Sequence, residues 1–480
     1  TFVHLKPKYV SMNKTSFLFM FAFLCCVASA FARVNATEMI SYPGGKCYMF
    51  RVTLKDKNHS RYSLNAPYEY LSPRAIERRK RQHLAIDSTD LPLNESYLHA
   101  ISASKELKIV GKSKWNNTVL VRCSNPGKVY ELLKLPFVKS VFRTFSSPDS
   151  ITNSVRLNFK KEFNRWDTIA EGNRFGVTKE QLLTLNGIKM HASGYRGKGK
   201  MIAVLDAGFM NVDRIPCLQK CRIVGQNDFV VPCSKSIFSE MEHGTMVFSV
   251  MAADLPGIYV GSAPDASYLL IRCEDRQTES IAEEDYWAEA VEYADSMGVD
   301  IINSSLGYHD FDDASTNHHY DEMDGMTTLI SRTASLLASK GIVLVNSAGN
   351  DGMGTWKKIN FPADAKDILT VGAISPSGVN AAFSGVGPTQ DGRVKPDVMA
   401  YGSPTAVISG RGTIVDEMGT SFSAPLISGM VACLWQALPD KSAREIISLV
   451  IESGNNATTP NNVFGYGVPD FWKAYNSGRK

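Results

Sequence analysis

Three residues of the chain carry the side chains that hydrolysis by a nucleophile requires. They are Asp206, His243 and Ser421, and each stands where a predicted strand or helix meets a loop. A serine hydroxyl attacks poorly at neutral pH unless a base takes its proton; an imidazole can be that base, and a buried carboxylate can orient the imidazole. Singly, the three are as well explained as a turn residue, a structural histidine and a helix cap. Together they predict a catalytic triad.

The same chemistry needs hydrogen-bond donors for the negative charge that develops on the attacked carbonyl oxygen. Asn350 follows the apolar run "GIVLV" after several small residues, and its side-chain amide can supply one donor. The backbone N–H of Ser421 can supply a second. An Asn-Asp pair beside glycines is also typical of a plain turn. Asn350 is therefore interpreted as an oxyanion donor only because the three triad residues are present as well.

The elements that must position these residues are predicted by short apolar runs, which recur from about residue 177 onward. The runs span 201–205, 267–273, 300–305, 341–347 and 368–374, and helical patterns span 282–298, 329–341 and 442–453. Unbroken runs of β-branched residues indicate strands that are covered on both faces. The alternation predicts an α/β fold with a doubly wound, mostly parallel sheet, in which chemistry takes place at the carboxyl ends of the strands.

The stretch Met418–Trp435 predicts a helix that begins at Ser421 and passes through the core. Pro425 falls in its first turn, where a missing N–H costs nothing. The small residues that recur along one face are Ala424, Ser428, Gly429 and Ala432. A helix with so narrow a face can approach the sheet closely, hold Ser421 rigidly and turn its own positive end toward an oxyanion. Ser423 is given no catalytic role.

Residues 33–143 predict a smaller α+β unit that precedes the sheet. The predicted elements are a strand at 47–56, helices at 72–82, 96–105 and 126–135, a hairpin at 107–123 and a strand at 138–143. The basic run Ser72–His83 is interpreted as a helix with a solvated face and Ile76 turned inward. Residues 144–176 are polar and rich in turn signals, which predicts a linker that is open to cleavage.

Five motifs, in this order, resemble the subtilisin-like serine proteases, the subtilases of peptidase family S8. They are AVLDAGF (203–209), HGTMV (243–247), SSLG (304–307), NSAGN (346–350) and GTSFSAP (419–425). The resemblance implies a serine endopeptidase in which Asp206 orients, His243 is the base and acid, and Ser421 attacks. It also implies that Asn350 binds the oxyanion. Ala207 stands where many relatives have Thr or Ser, a departure expected to tune the site.

The resemblance further implies that two segments line the pocket for the substrate's P1 residue. One is Ser305, Leu306 and Gly307, and the other is Ser347, Ala348 and Gly349. If Asn360 lies at the base of this pocket, large P1 residues such as Phe and Tyr are disfavoured.

The resemblance to this family also implies a function for the first unit, residues 33–143. Subtilases are commonly made with a ferredoxin-like βαββαβ propeptide that assists folding and inhibits the enzyme. The resemblance therefore implies a propeptide-type domain at 33–143, a processing site within 144–176 and a catalytic domain at 177–480. A permanent accessory domain is the alternative. The segments SPRAIERRKRQ, KSKWNN and DGRVKPD resemble those of exported subtilases of the Bacteroidetes type.

Residues 12–32 have the charged start, short apolar stretch and small-residue cleavage pattern of a secretory signal peptide. Residues 1–32 are therefore assigned to the signal, with Met12 as the expected start and 1–11 as an artefact. The protein is predicted to be exported, whether secreted, periplasmic or held at the cell surface. No other segment is long and apolar enough to span a bilayer.

The net charge of +4 does not suggest nucleic-acid binding. The expected partners are protein or peptide substrates and the chain's own N-terminal domain as an inhibitor; a monomer is expected. No cofactor or metal is required. The acidic segment 308–325 is interpreted as a solvated loop, with structural Ca²⁺ as the alternative, because its spacing does not match an EF-hand loop. Cys217, Cys221 and Cys233 predict a disulfide or buried thiols in preference to a metal site.

Two other classes of protein remain as alternatives. A catalytically silent subtilase fold that binds peptides would not need the complete set of Asp206, His243, Asn350 and Ser421. An α/β-hydrolase esterase would show Gly-x-Ser-x-Gly and the chain order serine, acid, histidine. Ser423 stands where the second glycine of that motif belongs, and the order here is reversed.

Overall fold

The computed structural model describes residues 39–42, 45–152, 172–231, 234 and 236–479. The predicted signal peptide, the central part of the predicted linker and Cys233 lie outside these residues. Contacts between residues divide the chain into two units. The smaller unit contains an antiparallel pair of strands, β1 (Met39–Ser41) and β6 (Ser150–Thr152). The larger unit contains the N-terminal α+β layer and the α/β layer together.

The N-terminal layer is a four-stranded antiparallel sheet in the order β3-β4-β2-β5 among the described residues. Its strands are β2 (Tyr48–Leu54), β3 (Lys108–Ser113), β4 (Thr118–Cys123) and β5 (Val138–Ser146), and its helices are α1 (Pro73–Arg81), α2 (Glu95–Ile101) and α3 (Pro126–Tyr130). Alternate side chains such as Phe50, Val52, Val119 and Val121 are fully buried. The element order is βααββαβ, which is the predicted ferredoxin-like βαββαβ pattern with one additional helix before β3, so the predicted form is confirmed.

The α/β layer is built on a parallel sheet that has seven strands in the described part of the chain, in the order β15-β14-β13-β12-β7-β11-β8. The strands are β7 (Met201–Asp206), β8 (Arg222–Asp228), β11 (Ser267–Arg272), β12 (Ile301–Ser304), β13 (Val343–Ser347), β14 (Leu369–Ile374) and β15 (Val398–Tyr401). Two short antiparallel pairs lie outside it: β9 (Asp254–Leu255) with β10 (Tyr259–Val260), and β16 (Thr405–Ile408) with β17 (Ile414–Glu417).

The helices of this layer are α4 (Lys179–Leu183), α5 (Gly187–Ala192), α6 (His243–Ala252), α7 (Ala282–Met297), α8 (Leu329–Leu336), α9 (Thr420–Ala437), α10 (Ala443–Glu452) and α11 (Phe471–Gly478). The five apolar runs of the sequence are all strands of the parallel sheet, as predicted. None of the helices in the described ranges is long and apolar enough to cross a membrane.

Helix α9 passes through the core, and its narrow face is as predicted. Residues Thr420–Trp435 are all buried. A Cβ on Gly429 would lie 2.0 Å from the Ser262 hydroxyl oxygen, so only glycine allows this approach. Ser428 donates a hydrogen bond to the Asn303 side chain of the neighbouring β12 at 2.8 Å. The helix that carries the predicted nucleophile in its first turn is therefore held rigidly against the sheet.

The basic helix α1 differs from its prediction. Its capping by the Ser72 side chain is regular, but Arg78 and Arg79 are only 1% exposed, so the prediction of a solvated face was wrong for these two residues. Both guanidinium groups pair with Asp295 of α7, at 2.5 and 2.9 Å, and Arg79 also pairs with Asp90 at 2.7 Å. The spacing of the arginines in the sequence does not show that this face of α1 is covered by α7.

The loop between β3 and β4 makes a second attachment to α7. The Glu292 carboxylate accepts hydrogen bonds from the Ser113 hydroxyl at 2.5 Å and from the backbone N–H groups of Lys114 and Trp115 at 2.7 and 3.0 Å. The N-terminal layer is thus fixed to the α/β layer by ion pairs and hydrogen bonds whose side chains are buried.

We predict that Arg79→Ala lowers the free energy of unfolding by about 3–5 kcal/mol, because the buried carboxylates of Asp295 and Asp90 each lose one of their two cationic partners. The matched control is Arg444→Ala, which removes an exposed pair with Asp367 and should cost no more than about 1 kcal/mol. Equilibrium unfolding in urea measures both values. Equal, small effects would contradict a stabilising role for the buried network.

Candidate active site

Asp206 and His243 are brought together at the carboxyl end of β7. The Nδ1 atom of His243 lies 2.9 and 3.0 Å from the two carboxylate oxygens of Asp206. Asp206 is fully buried, and its Oδ1 also accepts a hydrogen bond from the Ala207 N–H at 2.8 Å. The imidazole is partly exposed. Its Nδ1 atom is held in the interior by Asp206, and the other ring nitrogen, Nε2, is available on the solvent side.

Helix α6 places His243 there because its first turn lies directly against the end of β7. A Cβ on Gly244 would lie 2.3 Å from the Gly208 carbonyl oxygen and 2.8 Å from the Asp206 Cβ. Any larger residue would push the helix, and the imidazole with it, away from the carboxylate. The glycine of the His-Gly motif is therefore needed for the contact between Asp206 and His243.

The electrostatic surroundings raise the pKa of His243. Burial, the largest effect, would lower it, but the charge of Asp206, its hydrogen bond and the charge of Glu274 together outweigh burial. The imidazolium form is accordingly stabilised once a proton is taken up. This is the property that a base needs if it is to hold a proton during an attack.

Ser421 lies in the first turn of α9, where it exchanges hydrogen bonds with Ser305. The Ser421 hydroxyl donates to the Ser305 carbonyl oxygen at 3.3 Å, and the Ser305 hydroxyl donates to the Ser421 carbonyl oxygen at 2.8 Å. The second bond has a reason in the sequence. Pro425, four residues later, has no N–H to donate to that carbonyl.

Pro425 is the sixth residue of the helix, which corrects its predicted placement in a turn where the missing N–H costs nothing. The lost helical bond is replaced by one from the Ser305–Gly307 segment, so that segment is fixed to the start of the helix.

Asn350 is oriented by the residue before Ser421. Its Oδ1 accepts hydrogen bonds from both the N–H and the hydroxyl of Thr420, each at 3.0 Å. The Thr420 hydroxyl oxygen in turn accepts from the Gly349 N–H at 3.1 Å. Because the carbonyl oxygen of the amide is fixed in this way, the Asn350 Nδ2 group is the one left to act as a donor.

These residues surround one cavity of about 400 Å³. The sequence-predicted site residues that line it are His243, Ser305, Leu306, Gly307, Ser347, Gly349, Asn350 and Ser421. Asp206 and Ala348 are fully buried beside it. Ser423 has a buried hydroxyl without a hydrogen-bond partner in the described ranges, and it does not line the cavity.

Asn360 lies between the two predicted walls of the P1 pocket. A Cβ on Gly307 would be 2.9 Å from the Asn360 Cβ, and a Cβ on Gly349 would be 2.8 Å from its Cγ. The Asn360 amide donates to the Asp351 carboxylate at 2.8 Å. The side chain therefore lies against the glycines of both predicted walls, and its role at the base of a P1 pocket stays a prediction.

Comparison with known protein families decides which family has this architecture. The subtilase family model matches residues 197–467, which is more than half of the chain. The chain belongs to the subtilase family. A model of the peptidase S8 propeptide domain of Bacteroidota matches residues 49–159. The resemblance drawn from the five motifs, with its Bacteroidetes-type first unit, is confirmed.

The relatives are distant in sequence. Subtilisin NAT of Bacillus subtilis subsp. natto is 29% identical over 282 residues, 58% of this chain and 65% of that protein. Subtilisin-like protease SBT6.1 of Arabidopsis thaliana is 26% identical over 333 residues, 67% of this chain and 28% of that protein. The subtilase described here thus spans less than two thirds of either relative.

The fold is shared with a solved structure. The MycP3 protease from the type VII (ESX-3) secretion system aligns with a TM-score of 0.50 at 22% identity, over 64% of this chain and 90% of that chain. At this identity the likeness concerns the fold alone.

Sequence reasoning missed several residues of this subtilase's site. Thr420 orients Asn350, and Glu274 lines the cavity beside His243. Arg272, buried at the end of β11, donates to the Ala207 carbonyl oxygen at 3.1 Å. The strand-end rule that identified Asp206 also applies to β11 and would have drawn attention to Arg272 and Glu274.

The acidic segment 308–325 uses its carboxylates as local hydrogen-bond acceptors. Asp324 accepts from the N–H groups of Met326 and Thr327, and Asp313 from the Ser315 N–H. Within the described residues no group of three or more His, Cys, Asp and Glu side chains could hold a metal ion. Cys221 is a thiol that donates to the Ala252 carbonyl oxygen at 3.2 Å.

We predict that Asp206→Asn lowers the pKa of His243 below the ordinary histidine value of about 6.5, because burial then acts without the compensating charge. Glu274→Gln, which removes a weaker contribution, should lower it less. Histidine-selective NMR titration measures both. An unchanged pKa in Asp206→Asn would contradict the contact.

Proposed function

We propose that this subtilase is an exported serine endopeptidase that cleaves peptide bonds through an acyl-enzyme intermediate. The observation that carries the proposal is the contact of the buried Asp206 carboxylate with His243 at the rim of a cavity that Ser421 and Asn350 share. Membership of the family supports serine protease activity, and the role of each residue is our inference.

In the first half-reaction, the Ser421 oxygen forms a bond to the carbonyl carbon of the substrate. Its proton passes to the second nitrogen of His243, and Asp206 stabilises the resulting imidazolium. His243 then gives the proton to the leaving amine as the C–N bond breaks. In the second half-reaction, water repeats the attack on the acyl group with His243 again as base, and the Ser421 hydroxyl is restored.

The oxyanion that forms in each half-reaction needs two donors. The Asn350 Nδ2 is one, since Thr420 engages the other end of the amide. The Ser421 N–H is the second, because N–H groups in the first turn of a helix have no partner within it. The positive end of the α9 dipole adds to this stabilisation.

The substrate's P1 side chain would enter between Ser305–Gly307 and Ser347–Gly349. Asn360 occupies the space between the glycines of these walls, so the pocket is shallow, and large aromatic P1 residues are disfavoured. The mutual hydrogen bonds of Ser305 and Ser421 would fix the wall relative to the nucleophile.

We further propose that the N-terminal layer is a propeptide that inhibits the enzyme until the chain is cut within 144–176. The match to a propeptide domain supports this proposal. The polar attachments of Glu292 and Asp295 would be opened to solvent when the layer departs. The predicted signal peptide at residues 12–32 supports an extracellular destination.

We predict that a fluorophosphonate probe labels the processed protein but not Ser421→Ala. Asn350→Leu, which keeps the size but removes the donor, should lower kcat about 10²–10³-fold with little change in KM. Ser423→Ala is the matched control and should keep its label. Absence of label on the folded, processed wild type would favour a silent peptide-binding protein.

We predict that Ser421→Ala accumulates as an uncut chain, because the cut within 144–176 is made by the chain's own active site. Mass spectrometry of purified wild type and variant, each produced in the same protease-deficient host, measures the cut. Trimming of Ser421→Ala at the wild-type position, without added protease, would rule out self-processing.

A further inference from the structure

Arg272 is a buried cation beside the strand end that carries Asp206. It is the last residue of β11, it is 6% exposed, and its register partner on β7 is Asp206 itself. Burying a charge costs free energy unless the charged group is paired and hydrogen-bonded. The partners of the guanidinium therefore show which parts of the chain this residue holds together.

The first partner is the backbone that orients the Asp206 carboxylate. The Arg272 Nε donates to the Ala207 carbonyl oxygen at 3.1 Å, and the Ala207 N–H donates to the Asp206 Oδ1 at 2.8 Å. Ala207 has no side-chain hydrogen-bonding group, so both contacts use its backbone. A shift of Ala207 away from the guanidinium would consequently move the N–H that fixes the carboxylate.

The other nitrogens of the guanidinium face carboxylates on three further segments. The Nη1 atom donates to Asp228, at the end of β8, at 3.2 Å. The Nη2 atom lies 3.7 Å from Glu240 and 3.9 Å from Asp275. Glu240 is three residues before His243, the first residue of α6. One side chain therefore contacts both the backbone that follows Asp206 and the segment that leads to His243.

These two segments are also packed directly against each other. A Cβ on Gly208 would lie 2.5 Å from the Glu240 Cβ and 2.6 Å from the Met241 backbone nitrogen. The Phe209 N–H donates to the Ile237 carbonyl oxygen at 3.1 Å. With so little free space between the segments, a displacement of either one at the guanidinium changes the distance between the carboxylate of β7 and the imidazole of α6.

An ion pair that only adds stability is the alternative role for Arg272. One carboxylate would suffice for that purpose, and the ammonium group of a lysine would serve equally well. A guanidinium differs because its planar fork can hold several acceptors in fixed directions at once. The carbonyl oxygen and the carboxylates around Arg272 belong to four separate segments, which favours a bridging role over simple neutralisation.

We propose that Arg272 is a positioning residue that sets the distance between Asp206 and His243. It acts through the Ala207 backbone on one side and through Glu240 on the other. It does not line the cavity, so its effect on a reaction there passes through the carboxylate and the imidazole. The proposal rests on the proposed peptidase function, in which the imidazole is the base.

Positioning and plain charge change the pKa of His243 in opposite directions. Burial lowers this pKa, and Asp206 raises it through its charge and its hydrogen bond. If the loss of Arg272 lets the pair separate, the contribution of Asp206 weakens and the pKa falls. If Arg272 acted only as a nearby positive charge, its loss would make the imidazolium easier to form, and the pKa would rise. Glu274 and Arg276, whose charges also act on His243, stay unchanged.

The test compares Arg272→Met, which removes the charge, with Arg272→Lys, which keeps the charge but not the fork. Histidine-selective NMR titration is carried out on the uncut chain in a Ser421→Ala background, where no hydrolysis is expected. Both variants should lower the pKa of His243 relative to Ser421→Ala alone. This readout does not depend on activity.

Peptide hydrolysis by the processed enzymes, with Ser421 intact, is the second measurement. Both variants should lower kcat about 10- to 100-fold with little change in KM, because a misplacement of about 1 Å at the reacting groups can cost 10²-fold. The matched control is Lys395→Met. It removes a buried cation that pairs with Asp397 at 2.6 Å, just before β15 at the far edge of the sheet. The control should leave kcat and the pKa of His243 unchanged.

Three results would contradict an account of this kind. A raised pKa of His243 in Arg272→Met, with an unchanged pKa in Arg272→Lys, would mean an effect of charge alone and would overturn the positioning role. An unchanged pKa and kcat in Arg272→Lys would leave only a stabilising role and would overturn it as well, even where Arg272→Met does not fold. Failure of the processed wild type to hydrolyse any peptide would overturn the peptidase function, while the NMR titration would still decide whether Arg272 sets the contact.

Discussion

The contact between the buried Asp206 carboxylate and His243 is the interaction on which the rest of the site depends. A carboxylate with no exposed surface is costly unless it is paired and hydrogen-bonded, and here its partners are the imidazole and the Ala207 N–H. For that pair to form, the carboxyl end of β7 must lie next to the first turn of α6 in space. Gly244 permits this close approach. Asp206 and His243 are therefore positioned by the packing of the backbone alone.

The other half of the site is positioned by the start of α9. Thr420 orients Asn350. The hydroxyl groups of Ser421 and Ser305 each donate a hydrogen bond to the carbonyl oxygen of the other residue. Pro425 explains the hydrogen bond from the Ser305 hydroxyl. Because Pro425 has no N–H, the Ser421 carbonyl oxygen has no helical donor and can accept this bond instead. A residue that would weaken an ordinary helix thus links the predicted nucleophile to the wall of the predicted P1 pocket.

Much of this arrangement could be predicted from the sequence, since the parallel strands are unbroken apolar runs and polar residues follow them. Strand β8 was missed because it is an edge strand in which exposed and half-buried residues alternate. The burial of Arg78 and Arg79 was missed because it depends on Asp295, which is distant in the chain. Glu274 was missed although it follows a strand, because its proximity to His243 depends on the packing of parts of the chain that are distant in sequence. Long-range contacts of this kind are set by tertiary packing and leave no periodic pattern.

The central claim is that Ser421 attacks and Asn350 stabilises the resulting negative charge. The most direct measurement is a crystal structure of the processed protein after reaction with a peptidyl phosphonate, whose tetrahedral phosphorus imitates the intermediate. The account predicts a bond from phosphorus to the Ser421 Oγ, with a phosphoryl oxygen that accepts hydrogen bonds from the Asn350 Nδ2 and the Ser421 N–H. An adduct on another residue, or a phosphoryl oxygen turned away from both donors, would contradict it.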